Sequence, residues 1–347
     1  MRKTALLLVA LATAAASLVA AGASGAAVER TTAGTLTGAG ATFPYPLISK
    51  WIPAYDQANG TKINYSPIGS GGGIAAITAR TVDFGASDAP LSPDQFAACK
   101  GCVQIPWALS ATAVIYNVPG APQGLRLTPA LIAQMYLGYV QKWNAPGIRK
   151  LNPGVDLPDL KITPVYRSDS SGTSYNFTEF LTKTSPTWKS RVGTGTTVSW
   201  PTGIGARGSS GVTGVVRRTP GGITYADVAY ALENKLRFAR VKNRAGKWTL
   251  PGIRSIAAAA TAVGVPTGNG EISIVNPPKS QPLAYPISTF TYALAPTSSP
   301  KAAELRKFIY WAITSGQKFG PPLLFVPLPK GVLTFNYKQI KKIQSST

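Results

Sequence analysis

The stretch NYSPIGSGGGIAAITARTVDFGASDAPLS, residues 64–92, contains the order of elements that decides the fold. A strand-like run over residues 62–68 leads into the glycines of residues 69–73, and a helical pattern follows over residues 74–80. A strand, a glycine-rich turn and a helix in this order are typical of α/β proteins. The segment DFGASDAPLS comes next and sets Asp88 between small residues and Pro90.

The same alternation continues along the chain. Residues 111–118 read as a strand, and residues 46–57, 129–139 and 301–319 read as helices. A chain of 347 residues exceeds what one compact core usually holds, so two lobes are expected. The sequence therefore predicts an α/β protein with two lobes.

The N-terminus reads as an export signal. Arg2 and Lys3 precede an apolar run over residues 5–18, and small residues follow over residues 20–27. We expect residues 1–27 to be a signal peptide and the mature protein to be exported to the periplasm or the extracytoplasmic surface. No cysteine lies near the cleavage region, so a lipid anchor on an N-terminal cysteine is not expected.

Histidine is absent from the sequence, which excludes many enzyme mechanisms. A Ser-His-Asp triad, an HExxH zinc site and a histidine proton shuttle all need this residue. The two cysteines, Cys99 and Cys102 in CKGC, fit a redox pair, half of a zinc site or a disulfide loop. An exported protein meets an oxidising environment, which favours a structural disulfide over the other two interpretations. We therefore expect no metal and no cofactor.

The chain is strongly basic. The sequence has thirty-five Lys and Arg residues and thirteen Asp and Glu residues, which gives a net charge of +22. Such a charge attracts polyanions. The basic residues are spread out, with modest clusters at residues 217–218, 235–247 and 338–342, and none forms a known nucleic-acid motif. A general cationic surface is favoured over a specific nucleic-acid site.

Three short motifs hold candidate binding residues. RSDSSGTS, residues 167–174, combines an arginine, an aspartate and hydroxyls around one glycine, which suits an oxyanion but also a polar turn before a helix. GAGATFPYP, residues 38–46, leads Thr42 into a helix start, where backbone N–H groups are free to bind an anion. GIGARG, residues 203–208, matches G-x-G-x-x-G, but no clean strand precedes it, so a loop is favoured over a dinucleotide site.

Together these stretches resemble the phosphate-binding proteins of bacterial high-affinity phosphate ABC transporters. The similarity includes GAGATFPYPLISKW, residues 64–92, YLGYVQKWN, VYRSDSSGTSYNFTEFL and VGTGTTVSWPTGIGARGSSGV, in the family's order. The resemblance implies a two-lobed periplasmic-binding-protein fold of type II with the ligand cleft between lobes. It places lobe I in residues 28–112 plus 290–347 and lobe II in residues 113–289, with hinge strands near residues 111–116 and 287–292.

The resemblance also implies the ligand contacts. Asp88 is the family's carboxylate acceptor, and it selects an anion that carries a proton over sulfate, because a carboxylate repels an anion without one. Ser171 is implied as a hydroxyl and backbone donor, and Asp169 as the carboxylate that steadies the arginine. The implied phosphate-binding residues are Thr42, Phe43, Ser70, Asp88, Arg167, Ser171, Gly172 and Thr173.

The function implied is capture of inorganic phosphate, without catalysis, for a permease with two transmembrane subunits and an ATPase. The protein is expected to be a monomer with no specific nucleic-acid partner. One alternative is a free-standing secreted protein that binds phosphate or polyanions at a surface. Another is a phosphatase that uses a serine such as Ser171, although no GxSxG elbow or metal cluster supports it.

Overall fold

The structure is a computed structural model that describes residues 34–261 and 263–346, so the expected signal peptide lies outside the described residues. The helices are α1 Tyr45–Asn59, α2 Ser70–Thr78, α3 Pro93–Cys99, α4 Pro129–Tyr136, α5 Pro146–Leu151, α6 Gly172–Thr184, α7 Pro186–Arg191, α8 Gly208–Arg218, α9 Val228–Glu233, α10 Ile253–Ala260, α11 Ala302–Ile313 and α12 Lys330–Ile340. The strands are β1 Thr35–Gly40, β2 Lys62–Ser66, β3 Phe84–Ser87, β4 Cys102–Asn117, β5 Arg126–Leu127, β6 Thr163–Arg167, β7 Ile204–Ala206, β8 Gly222–Asp227, β9 Arg237–Phe238, β10 Arg240–Lys242, β11 Trp248–Thr249, β12 Ser288–Pro296, β13 Ser298–Ser299 and β14 Gln344–Ser345.

The main sheet has two sections that share strand β4. Its strand order is β2-β1-β3-β12-β4-β8-β6-β7, with β9 paired to β4. Residues 102–111 of β4 pair antiparallel with β12, and residues 112–117 pair antiparallel with β8. We call the strands from β2 to β12 the first sheet section and the strands from β8 to β7 the second sheet section. Strand β4 therefore crosses from one section to the other between Ala111 and Thr112.

Strand β4 is longer than the sequence pattern predicts. The predicted strand over residues 111–118 is only its second part, because the pairing begins at Cys102. The fourteen residues between its two ends are all buried, so the strand lacks the alternation of apolar and polar residues that marks a half-buried strand. The strand predicted over residues 62–68 is confirmed as β2, which ends at Ser66.

The predicted helices are confirmed with shifted ends. Helix α1 covers the predicted residues 46–57, and α2 begins at Ser70, before the residue predicted from its apolar pattern. Helix α4 ends at Tyr136. The long helix predicted over residues 301–319 is divided, because α11 ends at Ile313 and a 3₁₀ turn follows over Ser315–Phe319. Among the described residues, no helix is long and apolar enough to cross a membrane.

The CKGC loop is closed by a disulfide between Cys99 and Cys102, as the structural interpretation predicted. It joins the end of α3 to the first residue of β4. The guanidinium of Arg80 donates hydrogen bonds to the carbonyl oxygens of Cys99, at 2.7 Å, and Lys100, at 3.2 Å. The loop therefore connects two neighbouring elements, and no redox or zinc role is needed to explain its spacing.

A glycine sets how closely α2 packs on the first sheet section. A Cβ atom on Gly73 would lie 2.5 Å from the Cα of Gly40 and 2.8 Å from the carbonyl oxygen of Ala86. Both contacts are to backbone, which cannot move aside as a flexible side chain can. The close approach brings the N-terminus of α2 next to the ends of β1 and β3.

We expect Gly73→Ala to lower the free energy of unfolding by about 1–3 kcal/mol, because the added methyl group overpacks this contact. Urea unfolding measures the change. Gly147→Ala in α5 is the matched control, since its Cβ would meet nothing closer than 3.8 Å. The control should leave stability unchanged or slightly raised. Equal stability of the two variants would contradict the packing argument.

Candidate functional site

The candidate residues lie where strands of the two sheet sections end. Thr42 follows β1, Asp88 follows β3, and Arg167 is the last residue of β6. The starts of α2 and α6 complete the group with Ser70 and Gly172. In α/β sheets the carboxyl ends of parallel strands form one edge, where ligands commonly bind.

Asp88 is the buried carboxylate of the site, with 1% of its surface exposed. Its Oδ2 accepts a hydrogen bond from Thr173 Oγ1 at 3.2 Å, and its backbone oxygen accepts one from Asn176 Nδ2 at 2.9 Å. Its Oδ1 has no hydrogen-bond partner among the described residues. Burial raises the pKa of Asp88 to about 7, although the nearby Thr291 hydroxyl, the charge of Arg167 and the hydrogen bond from Thr173 lower it in part. Asp88 therefore presents an unused oxygen to the site.

Arg167 supplies the positive charge and is 3% exposed. Asp169 accepts hydrogen bonds from its Nε at 2.7 Å and from its Nη2 at 2.5 Å. Burial works to raise the pKa of Asp169, but the hydrogen bonds and charge of Arg167 outweigh it and hold that pKa below its usual range. A two-point ion pair of this kind fixes the plane of the guanidinium. Asp169 thus holds the guanidinium of Arg167 in one orientation.

Ser70 joins the two sheet sections. Its Oγ accepts hydrogen bonds from the backbone N–H of Gly172 at 3.0 Å and of Asp88 at 3.2 Å. A Cβ atom on Gly172 would lie 2.5 Å from the nitrogen of Ala89 and 2.7 Å from that of Asp88. Glycine at this position therefore lets the start of α6 contact the end of β3.

Ser171 is placed at the site with one of its two expected donors already used. Its backbone N–H donates to the carbonyl oxygen of Thr196 at 2.9 Å, so the expectation of a free backbone donor here is wrong for this structure. Its Oγ caps α6 by accepting from Ser174 N at 3.1 Å. The hydroxyl proton remains, because the capping oxygen acts as an acceptor.

Thr42 and Phe43 lie at the turn between β1 and α1. The Thr42 hydroxyl is 2.8 Å from Ser209 Oγ and accepts from Ser209 N at 3.2 Å, while Tyr230 donates to the Thr42 carbonyl oxygen at 2.6 Å. Phe43 is fully buried, and its ring packs edge-on against Phe325. Its backbone N–H has no acceptor among the described residues. This N–H is therefore an available donor.

Ser209 belongs to the group, although the sequence did not indicate it. Besides Thr42, its Oγ contacts Arg167 Nη1 at 3.4 Å. It follows GIGARG, and the interpretation of that stretch as a loop is wrong, because Ile204–Ala206 forms β7 and Gly208 begins α8. The N–H of Gly208 donates to Asp169 Oδ1 at 3.0 Å. These glycines therefore bring a helix start to the arginine's partner.

Asp227 is a second buried carboxyl that the sequence did not single out. It is the last residue of β8, opposite Thr112 on β4, and its Oδ1 accepts from Ala229 N at 2.9 Å. Its Oδ2 has no partner among the described residues. Burial raises the pKa of Asp227 well above its usual value, and the charges of Asp88 and Glu233 raise it further. Burial therefore makes the protonated form of Asp227 more favourable than it is for an exposed aspartate.

A groove of about 520 Å³ reaches the site from the surface. Its buried end is formed by Thr42 and Gly208, both of which contact the residues around Arg167. Its other walls include Tyr45, Arg207 and Glu233. Solvent therefore has a route to the Thr42 side of the site.

The arrangement suits a tetrahedral oxyanion that carries a proton. One oriented cation and several hydroxyl and backbone donors replace the water that an anion loses on burial. The unpartnered Oδ1 of Asp88 is able to accept a hydrogen bond from such a proton. Among the described residues, no cluster of three or more His, Cys, Asp or Glu side chains is arranged to hold a metal ion.

Comparisons with known proteins show which family the chain resembles. A family model described as a PBP superfamily domain matches residues 25–315. The phosphate-binding protein PstS of Xylella fastidiosa is 41% identical over 322 residues, which is 92% of this chain and 87% of that protein. PstS of Pasteurella multocida is 38% identical over 308 residues, 87% of this chain and 89% of that protein.

A solved structure shows the same fold. The periplasmic phosphate-binding protein PfluDING, bound with phosphate, matches with a TM-score of 0.73 at 23% identity and covers 87% of this chain and 93% of its own. This match confirms the predicted α/β fold with two lobes.

Because the pKa of Asp227 is raised in the folded protein, Asp227→Asn should change how the free energy of unfolding depends on pH. The pKa of Asp227 lies above its unfolded value of about 3.9, so the folded state binds more protons and the wild type loses stability as pH rises through that window. Asparagine cannot titrate. The stability of Asp227→Asn relative to wild type should therefore rise with pH above about pH 4.

Urea unfolding at a series of pH values measures this difference. Thr112→Val is the matched control, because it removes the facing hydroxyl, which has no partner among the described residues, without removing a titrating group. Its stability relative to wild type should not vary with pH. Parallel curves for Asp227→Asn and wild type would contradict the raised pKa of Asp227.

Proposed function

The chain belongs to the PBP superfamily and to its PstS-type phosphate-binding proteins, and we propose that it captures inorganic phosphate for import by an ABC transporter. The observation that carries the proposal is the unused Oδ1 of Asp88, buried among hydrogen-bond donors and near one oriented arginine. Phosphate near neutral pH still carries a proton to donate to this oxygen. Sulfate carries none and leaves a buried acceptor unpaired, which is costly.

We propose that the other residues act as donors, and that the ligand replaces Ser70 as the acceptor for the Gly172 N–H and Asp88 as the acceptor for the Thr173 hydroxyl. Ser70 accepts two backbone hydrogen bonds, so its own proton is left to donate to an anion. Ser171 has its hydroxyl proton, Phe43 has a free N–H, and Arg167 extends Nη1 toward Ser209. The proposed phosphate-binding residues are Thr42, Phe43, Ser70, Asp88, Arg167, Ser171, Gly172 and Thr173, with Asp169 as the positioning residue.

The ligand is proposed to bind between two lobes that close on it. The proposed lobe I is residues 28–112 plus 290–347, and lobe II is residues 113–289. Two observations support this division: β4 changes its pairing partner between Ala111 and Thr112, and the hydrogen bond from Gly172 to Ser70 joins the two sheet sections. Residues 111–116 and 287–292 are the proposed hinges. Opening would separate Gly172 from Ser70 and expose Asp88.

The cellular setting proposed is the periplasm or the extracytoplasmic surface, after removal of residues 1–27. The partner proposed is a permease with two transmembrane subunits and an ATPase, which recognises the closed form. A monomer is sufficient, because the candidate site is built from one chain. The named relatives are phosphate-binding proteins, which is consistent with this setting.

Calorimetric titration tests the ligand and the role of Asp88. We expect wild type to bind one phosphate and to ignore sulfate. Asp88→Asn should lower the selectivity for phosphate over sulfate by about 10-fold to 100-fold, because the amide carries no negative charge and can turn an N–H donor toward sulfate. Asp159→Asn is the matched control, since it makes the same charge change at an exposed ion pair with Lys142. Unchanged selectivity in Asp88→Asn would overturn the assignment.

We propose that the protein has no phosphatase activity. The sequence has no histidine to act as a base, and Ser171 Oγ is held as the cap of α6. Incubation with p-nitrophenyl phosphate should release no nitrophenolate above the buffer rate. Turnover that disappears in Ser171→Ala would contradict this proposal.

A further inference from the structure

One part of the basic charge is concentrated in a small separate sheet. Between residues 234 and 270 the sequence has seven Lys and Arg residues and no Asp or Glu. Two short strands of this segment, β10 and β11, form the small sheet together with β5, in the order β11-β10-β5. Strands β10 and β11 are joined by a tight turn, and we call residues 240–249 the basic hairpin. Nothing in the proposed phosphate site uses this hairpin.

The small sheet has one buried face and one cationic face. Leu127 and Val241 are buried, while Arg126, Arg240 and Lys242 are exposed. Arg240 is paired in register with Arg126 on the neighbouring strand. Since side chains alternate along a strand, these three cations share the outer face. Like charges side by side repel each other, so an external anion would stabilise this face.

The cations of this face lack acidic partners. None of the ion pairs found among the described residues includes a residue of the basic hairpin or Arg126. Arg126 and Lys242 instead place their charges 6.0 Å and 5.7 Å from the centre of the Trp248 ring. Arg244 and Lys247 are exposed in the turn. Their charges are therefore available to a partner outside the chain.

An exposed leucine lies beside the hairpin. Leu283 is 60% exposed, the highest value among the large hydrophobic side chains of the described residues. Asn243 Nδ2 donates hydrogen bonds to the carbonyl oxygens of Pro282 and Ala284, both at 2.9 Å. These two bonds hold Leu283 next to the turn. Cations, a half-buried tryptophan and an exposed leucine thus occur at one end of this small sheet.

This combination favours a lipid surface over a soluble polyanion. A nucleic acid or polyphosphate chain is attracted by cations but gains little from an exposed leucine. An anionic bilayer attracts the cations to its headgroups and also accepts Leu and Trp side chains at the acyl boundary. Trp is moreover enriched at membrane interfaces.

We propose that the basic hairpin, with Arg126 and Leu283, docks the protein on the surface of an anionic phospholipid bilayer. The contact is peripheral and reversible, because it uses a few surface cations and a single exposed leucine. Added salt weakens it, since surface charges are screened. Docking of this kind concentrates the protein at a membrane independently of phosphate capture.

Sedimentation with vesicles tests the proposal. We expect the mature protein to bind vesicles of phosphatidylglycerol mixed with phosphatidylcholine and not vesicles of phosphatidylcholine alone. The triple variant Lys242→Gln, Arg244→Gln and Lys247→Gln should bind the anionic vesicles on the order of 100-fold more weakly. The matched control replaces Lys338, Lys341 and Lys342 by Gln, which removes the same charge from exposed positions at the end of α12 and beyond.

The control should keep most of the vesicle affinity. An equal loss in both triple variants would overturn the proposal in favour of a general charge effect. Failure of the wild-type protein to bind the anionic vesicles would also overturn it. The phosphate affinity of the hairpin triple variant, measured by calorimetric titration, should equal that of wild type. This measurement separates a failure of vesicle binding from a failure of the phosphate site.

Leu283→Ser separates lipid from soluble polyanions. It leaves every cation in place, so binding to a single-stranded oligonucleotide should be unchanged, while affinity for anionic vesicles should fall by several-fold. If Leu283→Ser leaves vesicle affinity unchanged, the lipid assignment is overturned. If the hairpin triple variant loses oligonucleotide binding but keeps vesicle binding, the surface is one for nucleic acid.

Discussion

The pairing of β4 with two different strands is the constraint on which the rest of the structure depends. Buried backbone groups must be hydrogen-bonded, and β4 is buried over nearly its whole length. Strand β12 pairs with nine of the residues from Cys102 to Ala111, and β8 pairs with the six residues from Thr112 to Asn117. One strand thus holds both sheet sections, and the residues that follow β3 and β6 meet beside it. The site exists because Asp88 and Gly172 are brought together there.

Burying charge at this junction is costly, and the structure limits that cost in two ways. Arg167 is neutralised in part by a two-point ion pair with Asp169, which is itself held by the N–H of Gly208. The other two buried carboxyls, Asp88 and Asp227, have raised pKa values because water is excluded from them. What remains is a site with neutral donors, one oriented cation and one free acceptor. Such a site distinguishes anions by their protons and not by their charge alone.

The large positive charge of the chain has a different place in the molecule. The candidate site contains one cation paired with a carboxylate, whereas the unpaired cations of the small sheet lie on the surface. A surface charge attracts any polyanion, and a buried site with fixed hydrogen-bond directions does not. Ligand selection and attraction to a larger anionic surface are therefore handled by separate parts of the protein.

The sequence by itself determined the α/β class, the places of α1, α2, α4 and α11, and the motifs that carry the resemblance, because each depends on residues close together in the chain. It did not determine the length of β4, the role of Ser209 or the buried state of Asp227. The N–H of Ser171 is occupied by a hydrogen bond to Thr196, and the cationic face depends on the pairing of Arg240 with Arg126. Only the tertiary structure decided these features, because burial and pairing between strands join residues far apart in sequence.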